Sequence, residues 1–472
     1  MSDLGTPANP LRVAIVGSGP AGFYAAESLF ANADVTVEVD MFDRLPTPFG
    51  LVRAGVAPDH PKIKNVTRRY EKTAANEGFR FFGNVEIGTD VAAAELSERY
   101  HAVIYAYGTS ADRKLGIPGE DLPGSHPATA FVAWYNAHPD FADAQFDLSC
   151  ERAVVIGNGN VAADCARMLA LTREELEATD TADHAIGPLA ESSIREIVIV
   201  GRRGPAQAAF TNPEVRELGE MTDADVIVDP GECELDEVSR EYLENEADAT
   251  ARKNVEIFTE FSQRHPEGKR RRIVLKFLRS PVEIQGDGKV ERIVLARNEL
   301  VRDESGRIRA RDTGEREVLE CGLVLRSIGY RGTGVPGLPF DEERGVIANE
   351  GGRVVGEAGR QVEGQYVVGW IKRGPSGVIG TNKKDSQETI DNLFEDLRAG
   401  RIPAPPLAAE SDSILELLAE RKPDAVVDYS GWQAIDAAER ERGEPLGRPR
   451  VKFCRVDEML EAARTGSPVA AD

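Results

Sequence analysis

The sequence predicts an α/β fold of two like domains, the second inserted into the first, and three observations carry that reading. An apolar run, Leu11-Arg-Val-Ala-Ile-Val16, leads into Gly17-Ser-Gly19-Pro20-Ala21-Gly22 and a helical stretch. A second apolar run, Ala153-Val-Val-Ile156, leads into Gly157-Asn158-Gly159-Asn160-Val161-Ala162 and another helical stretch. Two further apolar strands end alike, one at Tyr107-Gly108 and one at Gly329, as an exit from a domain and a return to it would. Strand, glycine turn and helix in that order form the Rossmann-like dinucleotide-binding unit, here present twice.

Each element follows from its pattern. The first glycine turn opens a helix through Phe30, and the strand Val35–Phe42 then ends at Asp43. The strand Ala102–Ala106 closes the first part of the outer domain, expected over 1–108. The inserted domain is expected over 109–328, beginning with the Gly- and Pro-rich Leu115–Pro127. Its second glycine turn opens a helix through Leu169, and the acidic helical stretch Thr172–Ser193 reads as a surface insertion. The strand Ile194–Val200 follows, ending in Gly201-Arg202-Arg203-Gly204. Beyond a charged helix, Leu235–Asn254, the alternating segments Arg272–Leu278 and Lys289–Arg297 read as an antiparallel hairpin holding the basic run Lys269–Arg272. The strand Leu323–Ile328 returns the chain to the outer domain, expected over 329–472. There the strand Gln365–Gly369 feeds Trp370 through Gly380 and a helix from Ser386 to Leu397. A Pro-rich link, Ile402–Pro406, precedes a helical tail.

Composition narrows the function. The chain has 472 residues, more than one core usually organises. Lys and Arg number 57 against 80 Asp and Glu, a formal charge of −23 that disfavours nucleic acid and anionic membrane as partners. No apolar run is long enough to span a membrane, and Met1–Pro10 lacks the basic-then-apolar pattern of an export peptide. The five cysteines (Cys150, Cys165, Cys233, Cys321 and Cys454) are scattered, with no CxxC or metal-ligand spacing. A disulfide framework, a zinc site and an iron–sulfur cluster are therefore not expected, and a cytoplasmic setting fits.

The two turns differ in what closes them. In the first, Gly17, Gly19 and Gly22 permit the tight turn, close pyrophosphate approach and helix–strand packing, and Asp43 is spaced to accept from ribose hydroxyls. In the second, the acid is replaced by Arg202 and Arg203, whose guanidinium groups suit a 2′-phosphate. That points to NADP(H). One nicotinamide and one flavin is the pairing that makes chemical sense, so the first turn reads as the FAD site. The late segment from Gly369 and Trp370 to Gly377, Val378, Ile379 and Gly380 sets glycines ahead of a helix start, as a flavin-contacting segment would. Trp370 stands where flavoproteins of this kind usually carry an acid.

These residues together resemble the adrenodoxin reductase family, most closely its actinobacterial NADPH–ferredoxin reductase branch. The resemblance lies in Leu45-Pro-Thr-Pro-Phe-Gly-Leu51-Val-Arg-Ala-Gly-Val-Ala-Pro-Asp-His60-Pro-Lys-Ile-Lys64, the second glycine turn, Gly201-Arg-Arg-Gly-Pro205, Ala209-Phe-Thr211, Gly369 to Lys383, and the tail motif Arg448-Pro-Arg-Val-Lys-Phe453. It implies an FAD enzyme that takes hydride from NADPH and passes single electrons to a separate iron–sulfur ferredoxin. By the resemblance, Asp43 and Leu51 would contact the adenosine and flavin parts of FAD, with Val85 beside the adenine. Trp370 and Gly377 to Ile379 would border the isoalloxazine. Asn158 to Val161, with Arg202 and Arg203, would hold NADPH. His60 and Glu217 resemble the family's catalytic pair near the flavin, implicated in proton handling and nicotinamide positioning. Asn212-Pro213 reads as an N-cap followed by Pro at N1, which sets Glu214 and Glu217 one turn apart, Glu214 toward the NADPH ribose.

Lys62, Lys64, Arg68 and Arg69 form a short basic stretch to which an acidic ferredoxin could be steered, although an ordinary solvated helix face reads the same way. The missing CxxC argues against a flavin disulfide reductase, and the missing cysteine clusters against an electron-input subunit such as that of glutamate synthase. An NADPH diaphorase or quinone reductase, and a non-catalytic NADPH-binding sensor, stay open at this point.

Overall fold

The computed structural model describes residues 3–408 and 410–466. The chain divides into two compact units. Among the described residues, the first comprises those up to Val56, His60–Ala111 and those from Gly329 onward; the second comprises Ala57–Asp59 and Asp112–Ile328.

The first unit is organised by a seven-stranded sheet ordered 349–350, 353–355, 361–367, 102–105, 11–16, 37–42, 79–82. From Gln361–Val367 to Phe79–Phe82 its neighbours run parallel. Leu11–Val16 is buried at all six positions, as a parallel strand covered on both faces must be. Its side chains alternate between two cores: Val13 and Ile15 join Phe23, Tyr70 and Trp432, while Ala14 and Val16 join Phe42, Tyr105 and Ile371. The strand order reverses beside Leu11–Val16, the kind of switch point at whose carboxyl ends open α/β sheets bind dinucleotides.

The second unit carries a six-stranded, wholly parallel sheet ordered 125–127, 323–326, 152–156, 196–200, 271–276, 224–228. A three-stranded antiparallel sheet (Arg279–Gln285, Arg292–Arg302, Ile308–Glu320) packs Ile284, Ile293 and Leu295 against Val154, Ile156 and Val198.

This arrangement corrects several expectations. Arg271–Lys276 is no hairpin strand: it lies inside the parallel sheet between Glu196–Val200 and Ala224–Val228, and Lys269–Arg272 leads into it. The antiparallel partners of Arg292–Arg302 are instead Arg279–Gln285 and Ile308–Glu320. The expected helix Leu235–Asn254 is two, Glu237–Asn245 and Ala249–Ser262, because Asp248 caps a fresh start through Ala251 N–H. Thr172–Ser193 likewise holds two short helices, Arg173–Glu177 and Asp183–Ala190. The late helix begins earlier than expected, at Thr381. No described helix is long and apolar enough to cross a membrane, and all five cysteines are free.

Candidate functional site

In the first unit the glycine turn is built as its spacing demands. Gly17 has φ 106°, and a side chain there would fall 2.7 Å from the backbone of Ala106 and Tyr107. A Cβ at Gly22 would lie 2.2 Å from the Gly17 carbonyl, so only glycine lets helix and strand meet. At Gly19 an added Cβ would meet nothing within 4 Å, which leaves the open cradle a pyrophosphate needs above the helix Pro20–Phe30. Asp43 stands at the end of its strand, but its carboxylate is largely engaged. Oδ2 accepts from Ser18 N–H at 3.0 Å and from Ser18 Oγ at 2.5 Å, and Oδ1 accepts from Leu45 N–H at 3.0 Å. Burial pushes the Asp43 carboxyl up, against those hydrogen bonds. With three acceptor positions taken, about one remains for a ribose hydroxyl. Val85 donates its N–H to the Asp43 carbonyl at 2.8 Å while its side chain is buried.

The late glycine segment comes to the same turn. Gly369 (φ 77°) lies so close that a Cβ would sit 2.5 Å from Ala21 Cβ, and Ser386 Oγ donates to the Ala21 carbonyl. Gly50 also abuts the turn, 3.0 Å from Gly19 Cα for an added Cβ, which brings Leu51 to the same rim with 40% of its surface exposed. Trp370 is half-buried beside Tyr330, ring centroids 5.4 Å apart, and its buried Nε1–H has no hydrogen-bond partner. An orphaned indole donor, an open glycine cradle and an exposed leucine fit a flavin dinucleotide. Gly377 takes φ 81°, Val378 is 56% exposed, and Ile379 packs against the adjoining core. An acid does reach this segment from the following helix: Asp385 accepts from Gly369 N–H at 2.6 Å and pairs with Lys372 and Arg373.

In the second unit Gly157 (φ 134°) would drive a Cβ to 2.1 Å from the Ser327 carbonyl, while Gly159 has only Ala209 at 4.0 Å. Asn158 and Asn160 tie this turn to the Ala209–Thr211 segment: Ala209 N–H donates to the Asn158 carbonyl, and Thr211 N–H to Asn160 Oδ1. Asn158 Nδ2 is buried without a partner, a donor left for a bound group. Val161 lies in the first turn of the helix Asn160–Ala170. Arg202 is exposed and Arg203 half-buried, on a loop gripped by Asn298 Nδ2 on the Arg202 carbonyl and Leu278 N–H on the Arg203 carbonyl. Burial first, then the charge of Arg202, pulls the Arg203 pKa down, as for a cation whose neighbour is a second cation. A phosphate would relieve both.

Glu214 and Glu217 lie on the helix Asn212–Leu218, whose N-cap is Thr211 and not Asn212; Asn212 Nδ2 instead reaches Thr250 and Asn254. Their organiser was not foreseen. Arg167, 2% exposed, binds Glu214 at 2.8 Å, Asp164 at 2.8 Å and Asp59 at 2.9 Å, with Glu217 at 3.6 Å. Burial raises the Glu214 pKa, Arg167 opposes the rise and Glu217 adds to it.

Residues 11–200 match the family described as pyridine nucleotide-disulphide oxidoreductase. The chain is 54% identical over 453 residues to a protein of Mycobacterium leprae named NADPH-ferredoxin reductase FprA, covering 95% of this chain and 97% of that one. It is 42% identical over 469 residues to the mitochondrial NADPH:adrenodoxin oxidoreductase of Salvelinus fontinalis, covering 97% and 92%. The chain belongs to the adrenodoxin reductase family. A solved structure of Mycobacterium tuberculosis FprA in complex with NADPH is similar throughout, with 52% identity and a TM-score of 0.89 over 97% of this chain and 100% of that one.

Within this adrenodoxin reductase relative, His60 belongs to the first unit, where it precedes the short helix Pro61–Lys64, and Glu217 belongs to the second. The basic stretch is split, since a second helix starts only at Thr67. Arg69 forms a bidentate pair with Glu27 and lies over the Tyr24 ring, with its side chain 41% exposed. Lys62 and Arg68 are exposed. Ser18, Arg167, Asn298 and Asp385 escaped sequence reasoning because no motif spacing links them to the groups they hold. Only the acid–hydroxyl pairing of Asp43 with Ser18 could have been guessed, from a serine inside the turn.

Proposed function

We propose that this chain is an FAD-dependent NADPH:ferredoxin oxidoreductase, of the ferredoxin–NADP+ reductase type. The observation that carries the reading is the pair of glycine turns in separate units, one closed by Asp43 and the other by Arg202 and Arg203. When bound, FAD would supply the chemistry that couples a two-electron hydride donor to one-electron iron–sulfur acceptors. The chain's own residues bind and orient. Gly17 to Gly22 present helix N–H groups to the FAD pyrophosphate, Asp43 offers its remaining acceptor to the ribose, and Val85 lines the adenine loop. Leu51, Trp370 and Gly377 to Ile379 border the ring, with Trp370 Nε1–H free to donate. Asn158 to Val161 and Arg202 with Arg203 hold NADP(H). Glu214, kept by Arg167 within its carboxylate cluster, takes the ribose, and His60 with Glu217 handles the proton and nicotinamide position. The names of the relatives support a ferredoxin as acceptor. Lys62, Lys64, Arg68 and Arg69 are its steering charges, the last already paired with Glu27.

The deciding experiment is anaerobic reduction of the yellow holoprotein by NADPH, followed by electron transfer to a panel of ferredoxins, with NADH as control. Bleaching by NADPH and fast reduction of at least one ferredoxin are expected. Absence of bound flavin would leave only a nucleotide sensor. Turnover with quinones but no ferredoxin would leave a diaphorase.

A further inference from the structure

The tail motif Arg448-Pro-Arg450-Val-Lys452-Phe453 has no part in the nucleotide chemistry described above, yet its surroundings join it to the flavin rim. We infer that the C-terminal tail positions the flavin-bordering segment Phe49–Ala54 through a buried ion pair between Arg53 and Glu439. The inference rests on the reading of Leu51 as a flavin contact.

Glu439, on the tail helix Tyr429–Gly443, is completely buried. It takes both arms of Arg53, Nη1 at 2.8 Å and Nη2 at 2.5 Å. The motif completes its shell: Phe453 N–H donates to Oε1 at 2.9 Å and Arg450 Nη1 lies 3.4 Å from Oε2. Lys452 Nζ then donates to the Arg53 carbonyl at 3.0 Å, so the motif grips Arg53 by its backbone as well as its side chain. The strap lies hard on its helix, because Val451 N–H donates to the Glu439 carbonyl and a Cβ at Gly443 would fall 2.6 Å from Arg450 Cα. Trp432, from the same helix, sits under the Arg53 guanidinium at 5.3 Å and meets Phe49 edge-on at 5.5 Å.

The segment so held cannot hold itself. Leu51–Ala54 is a single helical turn, too short to be stable alone, and it follows two residues of positive φ, Phe49 at 83° and Gly50 at 48°. Its other anchor is the first glycine turn, where Phe49 N–H donates to the Ser18 carbonyl at 2.9 Å. Leu51 therefore hangs between the glycine turn and the tail. A bidentate Arg–carboxylate pair fixes orientation as well as distance, which an apolar contact of equal burial does not. Glu439 and Arg53 are thus positioning residues, acting on the flavin through Leu51.

The test uses the holoprotein and three variants: Leu51→Ala, Arg53→Lys, and the double Arg53→Met/Glu439→Gln, which removes both charges and leaves no orphan ion. The visible flavin spectrum, the rate of FAD release on dilution and the Tm are read for each. Leu51→Ala is expected to alter spectrum and release. The double variant should release FAD about tenfold faster with a shifted flavin band, and Arg53→Lys, which keeps charge but not the fork, should fall between. A silent Leu51→Ala overturns the flavin-contact reading, and the inference falls with it. An effective Leu51→Ala beside a double variant of native spectrum and release overturns the positioning role alone, even if the Tm drops. Should the double variant fail to fold, Arg53→Lys decides, and an unchanged spectrum and release rate overturn the inference.

Discussion

Arg202 and Arg203 show how much a pair of residues can say about a ligand. Burial and then Arg202 disfavour the Arg203 charge, with Arg309 adding to them and Tyr242 opposing, which is a cost that a bound anion would offset. Removing either arm should weaken NADPH selectively, because NADH has no 2′-phosphate to lose. Arg203→Ala is expected to raise the KM for NADPH about tenfold to a hundredfold, the range of a charge-assisted hydrogen bond. Steady-state kinetics with both nucleotides checks this, and an unchanged NADPH-to-NADH ratio contradicts it. The type of each closing residue was legible from its place after a strand; its engagement was not. Asp43 reads as a free ribose acceptor, yet Ser18 and Leu45 hold three of its acceptor positions.

Among the elements, the glycine turns were legible because geometry at Gly17, Gly22 and Gly157 admits no side chain. The misread hairpin has an equally physical cause. Arg271–Lys276 alternates buried and less buried positions, the pattern of a half-exposed strand, although it lies between two parallel neighbours. Period-two alternation reports how the faces are covered, not which strand is the partner. The helix Thr381–Arg398, which follows the flavin-bordering segment, is docked through Asp396. Burial pushes this carboxyl up, but Arg353, Tyr366, Arg401 and Gln361 together hold it down to about 2, against the usual 3.8. A lowered folded-state value means the contribution is complete above about pH 4 and is lost as pH falls toward 2. Asp396→Asn should therefore lower stability at pH 7 by roughly 1–2 kcal/mol, the scale of charge-assisted hydrogen bonds whose partners, Arg353 and Arg401, are partly exposed and keep Glu395. Its deficit relative to the parent should shrink in acid. Denaturation at pH 7 and pH 3 tests this, and a deficit equal at both pH values contradicts it.

For the whole molecule, the net charge of −23 sets the sign of a further prediction. An acidic ferredoxin approaching an acidic body is repelled unless a local basic patch receives it. If Lys62, Lys64, Arg68 and Arg69 are that patch, kcat/KM for ferredoxin falls as salt rises, over a Debye length of about 10 Å at 0.1 M. A rate that climbs with salt would mean that overall repulsion governs the encounter. The sequence by itself determined the two turns, their strands and helices, and the charge that closes each, because those constraints act between residues close along the chain. Only the tertiary structure decided that Glu439 meets Arg53 across 386 residues, that Arg167 gathers Asp59, Asp164 and Glu214, and that Asp385 takes the Gly369 N–H. A buried charge must find its counter-charge wherever packing brings one. No local spacing records that choice.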